Sequence, residues 1–394
     1  GAGFTSLMLD DAAMAAKLAL AEQSFASTIE APGAERYFMA LEHIETGALA
    51  GCCQVKSTIG EVPPFFNFRV ITEAQSSAVV NRRFDMRVLI GVNDFTGCSE
   101  VGSLFVRPEH RVGGIGRALA QCRYMLMAVA PQRFRDQVVS ELRGVVSPEG
   151  VSPFWEAVGR HFFRMDFAEA DKLSAITDNQ FILDLMPQHP IYVDLLPEEA
   201  RAVVGACHKD GAGARSLLEW EGFRFSNVVD IFDGGPLMSA PRDVIRTRRE
   251  ARRVRLQAAD NLDAAPRALI AVASVRDYRC VASRALVEGD TAKVDAGVLR
   301  ALRLEAGPEP VQPPAMHRRN LLALGAAGCA GQLKGAMVEH AHSTRSVADT
   351  IKKALESIKC DAAAPACATA VTVIEDQVKA LQDGAGKLEA SGRQ

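Results

Sequence analysis

Apolar residues recur along this chain with two different periods, and the switches between them outline its elements. Residues 10–27 (DDAAMAAKLALAEQSFAS) carry a helical pattern rich in Ala, Leu and Met. Near 36–57 the alternation of a strand appears, turns at Glu45-Thr46-Gly47 and resumes, which predicts a hairpin. FNFRVITEA (66–74) and RFDMRVLIGV (83–92) read as two more strands, and 99–106 as another after a turn at Asp94, Thr96 and Gly97. A glycine-bearing loop then leads into a helix over 114–129. The order is helix, several antiparallel strands, glycine loop, helix.

Beyond 130 the periods mix. FRDQVVSELRG (134–144) reads as helical, and SPFWEAVGRHFFRMDF (152–167) spaces its aromatics for a helix packed on a sheet. QFILDLMP (180–187) and PIYVDLLP (190–197) are strand-like pieces ended by proline. PEEARAVVGACH (197–208) has the proline and early carboxylates of a helix N-terminus, and ARSLLEWEGF (214–223) is a further helix. FSNVVDIFDGGP (225–236) reads as a strand entering a turn, and 268–304 alternates again as a small terminal β-unit. The Pro-rich GPEPVQPPA that follows is a linker, and the Ala-rich remainder is a helical appendage. These boundaries divide the chain into 1–130, 131–305 and 306–394, an α+β protein with a mixed, largely antiparallel sheet.

Composition narrows the function classes. A net charge of −3 over 394 residues leaves no basic surplus for a nucleic-acid backbone. The local cluster RTRREARRVR (246–255) reads as a solvated helix face. No segment approaches the ~18 consecutive apolar residues of a membrane helix, so no membrane partner is expected. Nine cysteines are scattered without a CxxC pair or metal-ligand spacing, which suits a reduced, cytoplasmic chain. His161, His189, His340 and His342 lack Cys or carboxylate companions at ligand spacing, and no metal is expected.

The stretch VGSLFVRPEHRVGGIGRALAQCRYML (101–126) carries the first chemistry. Backbone N–H groups of a glycine loop and of the helix turn after it converge on one point and attract anions, and glycine lets a phosphate come close. No Gly-Lys-Ser/Thr follows, so it is not a Walker A loop, and the hairpins upstream do not suit a dinucleotide-binding βαβ unit. Arg111, Gly114 and Gly116 do match R-x-x-G-x-G, the pyrophosphate loop of the GNAT acyltransferases.

Longer motifs sharpen this. SELRGVVSPEGVSPFWEAVGRHFFRMDFAEAD (140–171), DLMPQHPIYVDLLPEEARAVVGACH (184–208) and EGFRFSNVVDIFDGGP (221–236) together resemble the arginine N-succinyltransferase family, as do FTSL (4–7) and TGCSEVGSLFVRPEHR (96–111). The resemblance spans roughly residues 1–305 and implies a GNAT-like fold of two tandem units. It also implies that about one βα unit normally precedes the FTSL segment. The implied reaction moves a succinyl group from succinyl-CoA to the α-amine of L-arginine. Ornithine or another amine is the alternative acceptor, and a non-catalytic acyl-CoA-binding module the alternative role. By resemblance His208 is the proton donor, Leu104 contacts succinyl-CoA, and Arg111, Gly114 and Gly116 hold its pyrophosphate. A homo- or hetero-oligomer with a paralogous subunit is expected as well.

Other residues keep two readings. Without the resemblance His208 would read as a cap at a helix C-terminus. Asp230 and Asp233 suit either a substrate guanidinium or a tight turn, and Glu100 either a base or a surface carboxylate. Ser152-Pro-Phe-Trp155 reads as a packing anchor. Residues 316–331 (MHRRNLLALGAAGCAG) are similar to an export signal, which suggests that 316–394 was fused from a neighbouring reading frame, and Cys360 and Cys367 could bridge there under oxidising conditions.

Overall fold

Nine strands form one sheet in the order β1-β2-β5-β6-β9-β8-β3-β4-β7 in the computed structural model, which describes residues 11–176, 180–304 and 320–323. The strands are β1 (Arg36–Glu42), β2 (Leu49–Lys56), β3 (Asn67–Ser77), β4 (Arg82–Val92), β5 (Ser99–Val106), β6 (Gln137–Glu141), β7 (Ile191–Tyr192), β8 (Arg224–Val229) and β9 (Pro236–Pro241). Every neighbouring pair is antiparallel except β5 with β6. Strands from both sides of residue 130 therefore share one sheet. The FTSL segment, the Pro-rich linker, residues 316–319 and 324–331, His340, His342, Cys360 and Cys367 lie outside the described residues.

The N-terminal expectations hold to within three residues at each boundary. Helix α1 (Asp11–Ala26) precedes the β1–β2 hairpin, and β3 with β4 forms a second, longer one. Helix α2 (Ile115–Val129) is the central pillar of the molecule. Leu119 to Met127 are all buried, because α2 is covered on two sides. One side packs against Tyr37, Cys53, Val55, Val101 and Val138 of the sheet. The other meets Leu269 and Ala271 through Met125, Val129 and Ala130.

Those last two residues belong to a closed five-stranded barrel, β10 (Ala251–Ala258), β11 (Arg267–Ala271), β12 (Cys280–Glu288), β13 (Thr291–Val294) and β14 (Asn320–Ala323). Strands β11 to β13 are the terminal β-unit expected from the alternation over 268–304, while Asn320–Ala323, expected within the helical appendage, is instead a strand that closes the barrel between β10 and β11. Residues 246–255 do not form one solvated helix face: a short helix spans Arg246–Glu250 and β10 begins at Ala251. In β10 the arginines at 252, 253 and 255 point outward while Val254 is buried, so the charges are solvated on a strand.

Between the sheet halves lie short helices, α3 (Pro153–Ala157), α4 (Gly159–Phe163), α5 (Phe167–Ile176), α6 (Gln180–Leu185), α7 (Glu198–Val203) and α8 (Ala212–Glu221). Three expectations are corrected here. Residues 134–144 are not helical: Gln137–Glu141 is strand β6, with Val138 and Val139 paired on both sides in mid-sheet, where non-local pairing overrides local propensity. QFILDLMP is helix α6 rather than a strand, and turns Ile182 into the core that surrounds Trp155. The aromatic stretch 152–167 contains two short helices rather than one, broken at Val158.

That break serves Trp155. Its ring stacks between Phe163 (5.3 Å) and Phe232 (5.6 Å), and its Nε1–H donates to the Met165 carbonyl at 3.0 Å. Ser152 caps α3 by accepting from the Trp155 N–H, as an anchor would. A Cβ at Gly159 would sit 2.2 Å from the Trp155 ring. Gly159→Ala should therefore cost about 1–3 kcal/mol through overpacking, read as a lower denaturation midpoint in urea. An unchanged midpoint would show that the aromatic stack yields freely.

Candidate active site

The parallel β5–β6 pair is bonded only through Ser99 with Val138 and Glu100 with Val139. Past that point β5 runs on to Val106, while Ser140 and Glu141 of β6 pair with β9 alone. The two strands part and leave a slot in the middle of the sheet. The backbone of β5 is irregular here: Ser103 has φ +50°, and the register against β2 shifts between Cys52 and Gln54. The slot opens on a cleft of about 970 Å³ walled by β2, β5, β6, the 230–233 turn, α1, α2, residues 167–174 and residues 214–221.

The glycine loop sits at the far end of β5. Gly113 and Gly114 adopt φ of +63° and +83°, a region that favours glycine, and α2 begins at Ile115. Arg111 Nε donates to the Val106 carbonyl at 2.9 Å, which latches the loop to the strand, and Arg267 of the barrel holds the Gly113 carbonyl at 3.1 Å. A Cβ on Gly116 would meet nothing closer than Val106 Cγ2 at 4.0 Å, so packing does not require glycine there. Arg111, Gly114 and Gly116 do not line the cleft itself.

Leu104 and His208 do line it. His208 lies at no helix C-terminus: it heads a short turn over Lys209–Gly211, its own N–H bonded to the Arg143 carbonyl at 2.8 Å. Its Nδ1 accepts from the Asp210 N–H at 3.2 Å. The acceptor nitrogen of a neutral imidazole is the one without hydrogen, so this contact leaves the proton on Nε2. The Asp210 carboxylate stands 3.6 Å from Nδ1 and gives a protonated ring a partner.

Glu100 lines the cleft in contact with Lys56 at 2.7 Å rather than as a free surface carboxylate, with Lys17 and Arg36 nearby in the same wall. Glu141, Asp171, Asp230 and Asp233 line it as well, with Arg143, and Glu141 is close enough to Glu100 and Lys56 to feel their charges. Asp230 accepts from the Phe232 and Asp233 N–H groups at 2.7 and 3.0 Å, and Asp233 from those of Gly235 and Gly144 at 2.9 and 2.7 Å. Both residues therefore build the Asp-Gly-Gly turn while lining the cleft. Burial, then the charge of Asp233, pushes the Asp230 carboxyl up to about 7. Burial first and Asp230 second hold Glu141 well above the usual range, and Asn67 Nδ2 donates to it at 3.0 Å. Sequence reasoning missed Glu141 because FRDQVVSELRG was read as helix; read as a strand beside β5, it would have brought Glu141 to the slot. Lys17 and Lys56 carried no motif. His161 and His189 lie outside the cleft, and among the described residues no group of three metal-ligating side chains forms.

A parallel strand pair that parts beside an irregular strand, with a glycine loop heading the next helix, defines an acyl-CoA N-acyltransferase of the GNAT type. Comparison narrows the class: residues 1–247 match the family described as arginine N-succinyltransferase beta subunit. The chain is 38% identical over 308 residues to arginine N-succinyltransferase of Salmonella typhi, covering 78% of this chain and 89% of that one. It is likewise 38% identical over 310 residues to the enzyme of Salmonella paratyphi B. The solved arginine/ornithine succinyltransferase subunit AI from Pseudomonas aeruginosa superposes with a TM-score of 0.71 at 30% identity, over 82% of this chain and 91% of that one. The chain belongs to the arginine N-succinyltransferase family.

The raised Asp230 carboxyl has a measurable consequence. An aspartate that keeps its proton up to about 7 when folded, against ~3.9 unfolded, stabilises the fold below the lower value and loses that contribution as pH rises through the upper one. Between pH 4 and 7 the wild type should lose thermal stability relative to Asp230→Asn. Parallel denaturation profiles for the two proteins would contradict this.

Proposed function

We propose that the cleft transfers the succinyl group of succinyl-CoA to the α-amine of L-arginine, giving N2-succinylarginine and free CoA. The observation that carries this reading is the placement of His208, with its proton directed to Nε2, in the cleft into which the β5–β6 slot opens. The pyrophosphate rests on the N–H groups at the head of α2, beside Arg111, Gly114 and Gly116. Gly116 is then explained by close approach of phosphate, since no protein atom demands it. The pantetheine arm lies along β5 past Leu104, whose backbone meets the cofactor while its side chain packs into the core.

The α-amine attacks the thioester carbonyl in its neutral form, and the oxyanion meets N–H groups on the edge of β5 that β6 does not pair. As the carbon–sulfur bond breaks, His208 in its protonated form, with the Asp210 carboxylate as partner at Nδ1, gives its Nε2 proton to the departing thiolate and returns to neutral imidazole, while the attacking nitrogen loses its extra proton to water to leave the amide. The acidic wall of Glu141, Asp230 and Asp233 receives the substrate guanidinium. A cation on a shorter chain reaches the same wall, so ornithine is the second acceptor to test; the Pseudomonas neighbour is named for both amines. Six described cysteines are free thiols, which fits a cytoplasmic enzyme. Because the matching family and the solved neighbour are described as subunits, we include a homo- or hetero-oligomer in the proposal.

Release of CoA thiol, followed with arginine and then with ornithine, separates the readings. Succinyl-CoA binding without thiol release from either amine would leave a binding module in place of an enzyme. His208→Ala should lower kcat by about 10²–10⁴ with KM for succinyl-CoA little changed. Turnover near the wild-type rate would remove His208 from the acid role.

A further inference from the structure

One end of the cleft is more cationic than the chemistry above requires. Arg36, Lys56 and Glu100 stand side by side on β1, β2 and β5, because Arg36 pairs with Lys56 and Lys56 with Glu100 in the strand registers. Lys17 of α1 reaches the same spot, close enough to feel the charges of Lys56, Glu100 and Arg36. Arg36 is held rigidly there, its Nη1 directed at the carbonyls of Ala34, Glu35 and Thr58 at 3.0, 3.0 and 3.2 Å. Three cations thus line this end of the cleft around Glu100, with Glu141 of β6 the next carboxylate to feel the charge of Lys56.

The strand supplies a ruler. The glycine loop follows Val106, so a cofactor laid along β5 points its acyl end toward lower residue numbers, from Leu104 toward Glu100. The β5–β6 pairing ends at Glu100, so the slot begins at the next row, where Gln54 pairs with Gly102. Gly102 leaves that row open: a Cβ there would come within 3.2 Å of Glu100 Oε1. One row to the next on the same face is about 6.7 Å along a strand. From a thioester carbon to the far carboxylate of a succinyl group is three C–C bonds of ~1.5 Å, roughly 4 Å before the carboxylate oxygens are added. A thioester beside Gly102 therefore delivers its free carboxylate to the row of Arg36, Lys56 and Glu100.

We infer that Lys56 and Lys17 form the subsite that recognises the terminal carboxylate of a dicarboxylic acyl-CoA, with Arg36 as a fixed positive charge behind them and Glu100 holding Lys56 in place. The two walls of the cleft then sort the two substrates by charge, the basic wall taking the acyl donor's anion and the acidic wall the acceptor's cation. The inference rests on the acyltransfer reading given above and adds the residues that select the donor.

The test compares succinyl-CoA with butyryl-CoA, which has the same carbon count and no carboxylate, in the wild type, Lys56→Met, Lys17→Met and Lys56→Arg. With arginine as acceptor, the ratio of kcat/KM for succinyl-CoA over butyryl-CoA should fall ten- to a hundredfold in Lys56→Met and by a smaller factor in Lys17→Met. Lys56→Arg should retain most of the preference. A ratio unchanged in both methionine variants would overturn the inference, and a ratio removes any loss from impaired folding that the two donors share. Calorimetric titration of each acyl-CoA into the same proteins keeps the question separate from turnover. If the wild type released no thiol, the acyltransfer reading would fail, yet a wild-type preference for binding succinyl-CoA that Lys56→Met abolishes would still sustain the subsite. Equal binding of the two acyl-CoAs by the wild type would sink it.

Discussion

The cleft depends on hydrogen bonds that stop being made. A parallel strand pair in mid-sheet normally satisfies every backbone group along its length, but β5 and β6 bond at two positions and then part. Their outer edges stay engaged, β5 with β2 on either side of its register shift and β6 with β9 throughout, so the sheet survives the interruption. The unpaired inner edges acquire a role: they leave backbone donors and acceptors where an extended amide-bearing arm can complete the sheet from outside the chain. The left-handed residue Ser103 and the register shift opposite it are the local signs of a strand bent away from its neighbour.

Keeping that slot open requires rigid support on both sides. Helix α2 lies under β5 and the hairpin, pinned to the sheet by aliphatic and aromatic contacts and to the barrel by a second set. Its polar residues are satisfied internally: Gln121 Nε2 donates to Glu221 and Thr247 at 3.0 and 3.1 Å, and Tyr278 of the barrel reaches the Cys122 carbonyl at 2.5 Å. The glycine loop is therefore presented by a helix that cannot move without disturbing two cores. On the other side, the Trp155 stack carries Phe232 and with it the turn that bears Asp230 and Asp233.

Electrostatics in the cleft follow from this architecture. Asp230 and Asp233 each accept two backbone N–H groups, and the charge of Asp230 raises its buried neighbour Glu141. A cation bound there would relieve that repulsion. Lys17, Lys56 and Arg36 crowd around Glu100 in the opposite sense. Each wall is better satisfied with a ligand of opposite charge than without one.

Much of this was legible in the residues themselves. Alternation over 36–57, 66–74, 83–92 and 99–106 marked the strands, because a half-buried strand shows its faces in every second residue. Gly113 and Gly114 marked the loop, because a left-handed turn at the head of a helix demands glycine. The long motifs around His208 carried the family. Glu141 and Lys56 were not legible: the first sat in a segment whose local propensity favours helix, the second in a hairpin with no distinguishing neighbour. What makes them site residues is non-local, the pairing of β6 beside β5 and of Lys56 opposite Glu100. Local order and the chemical types were written in the chain. Which charges face each other across the cleft was decided only when strands distant in sequence came into register, because register sets which side chains share a face.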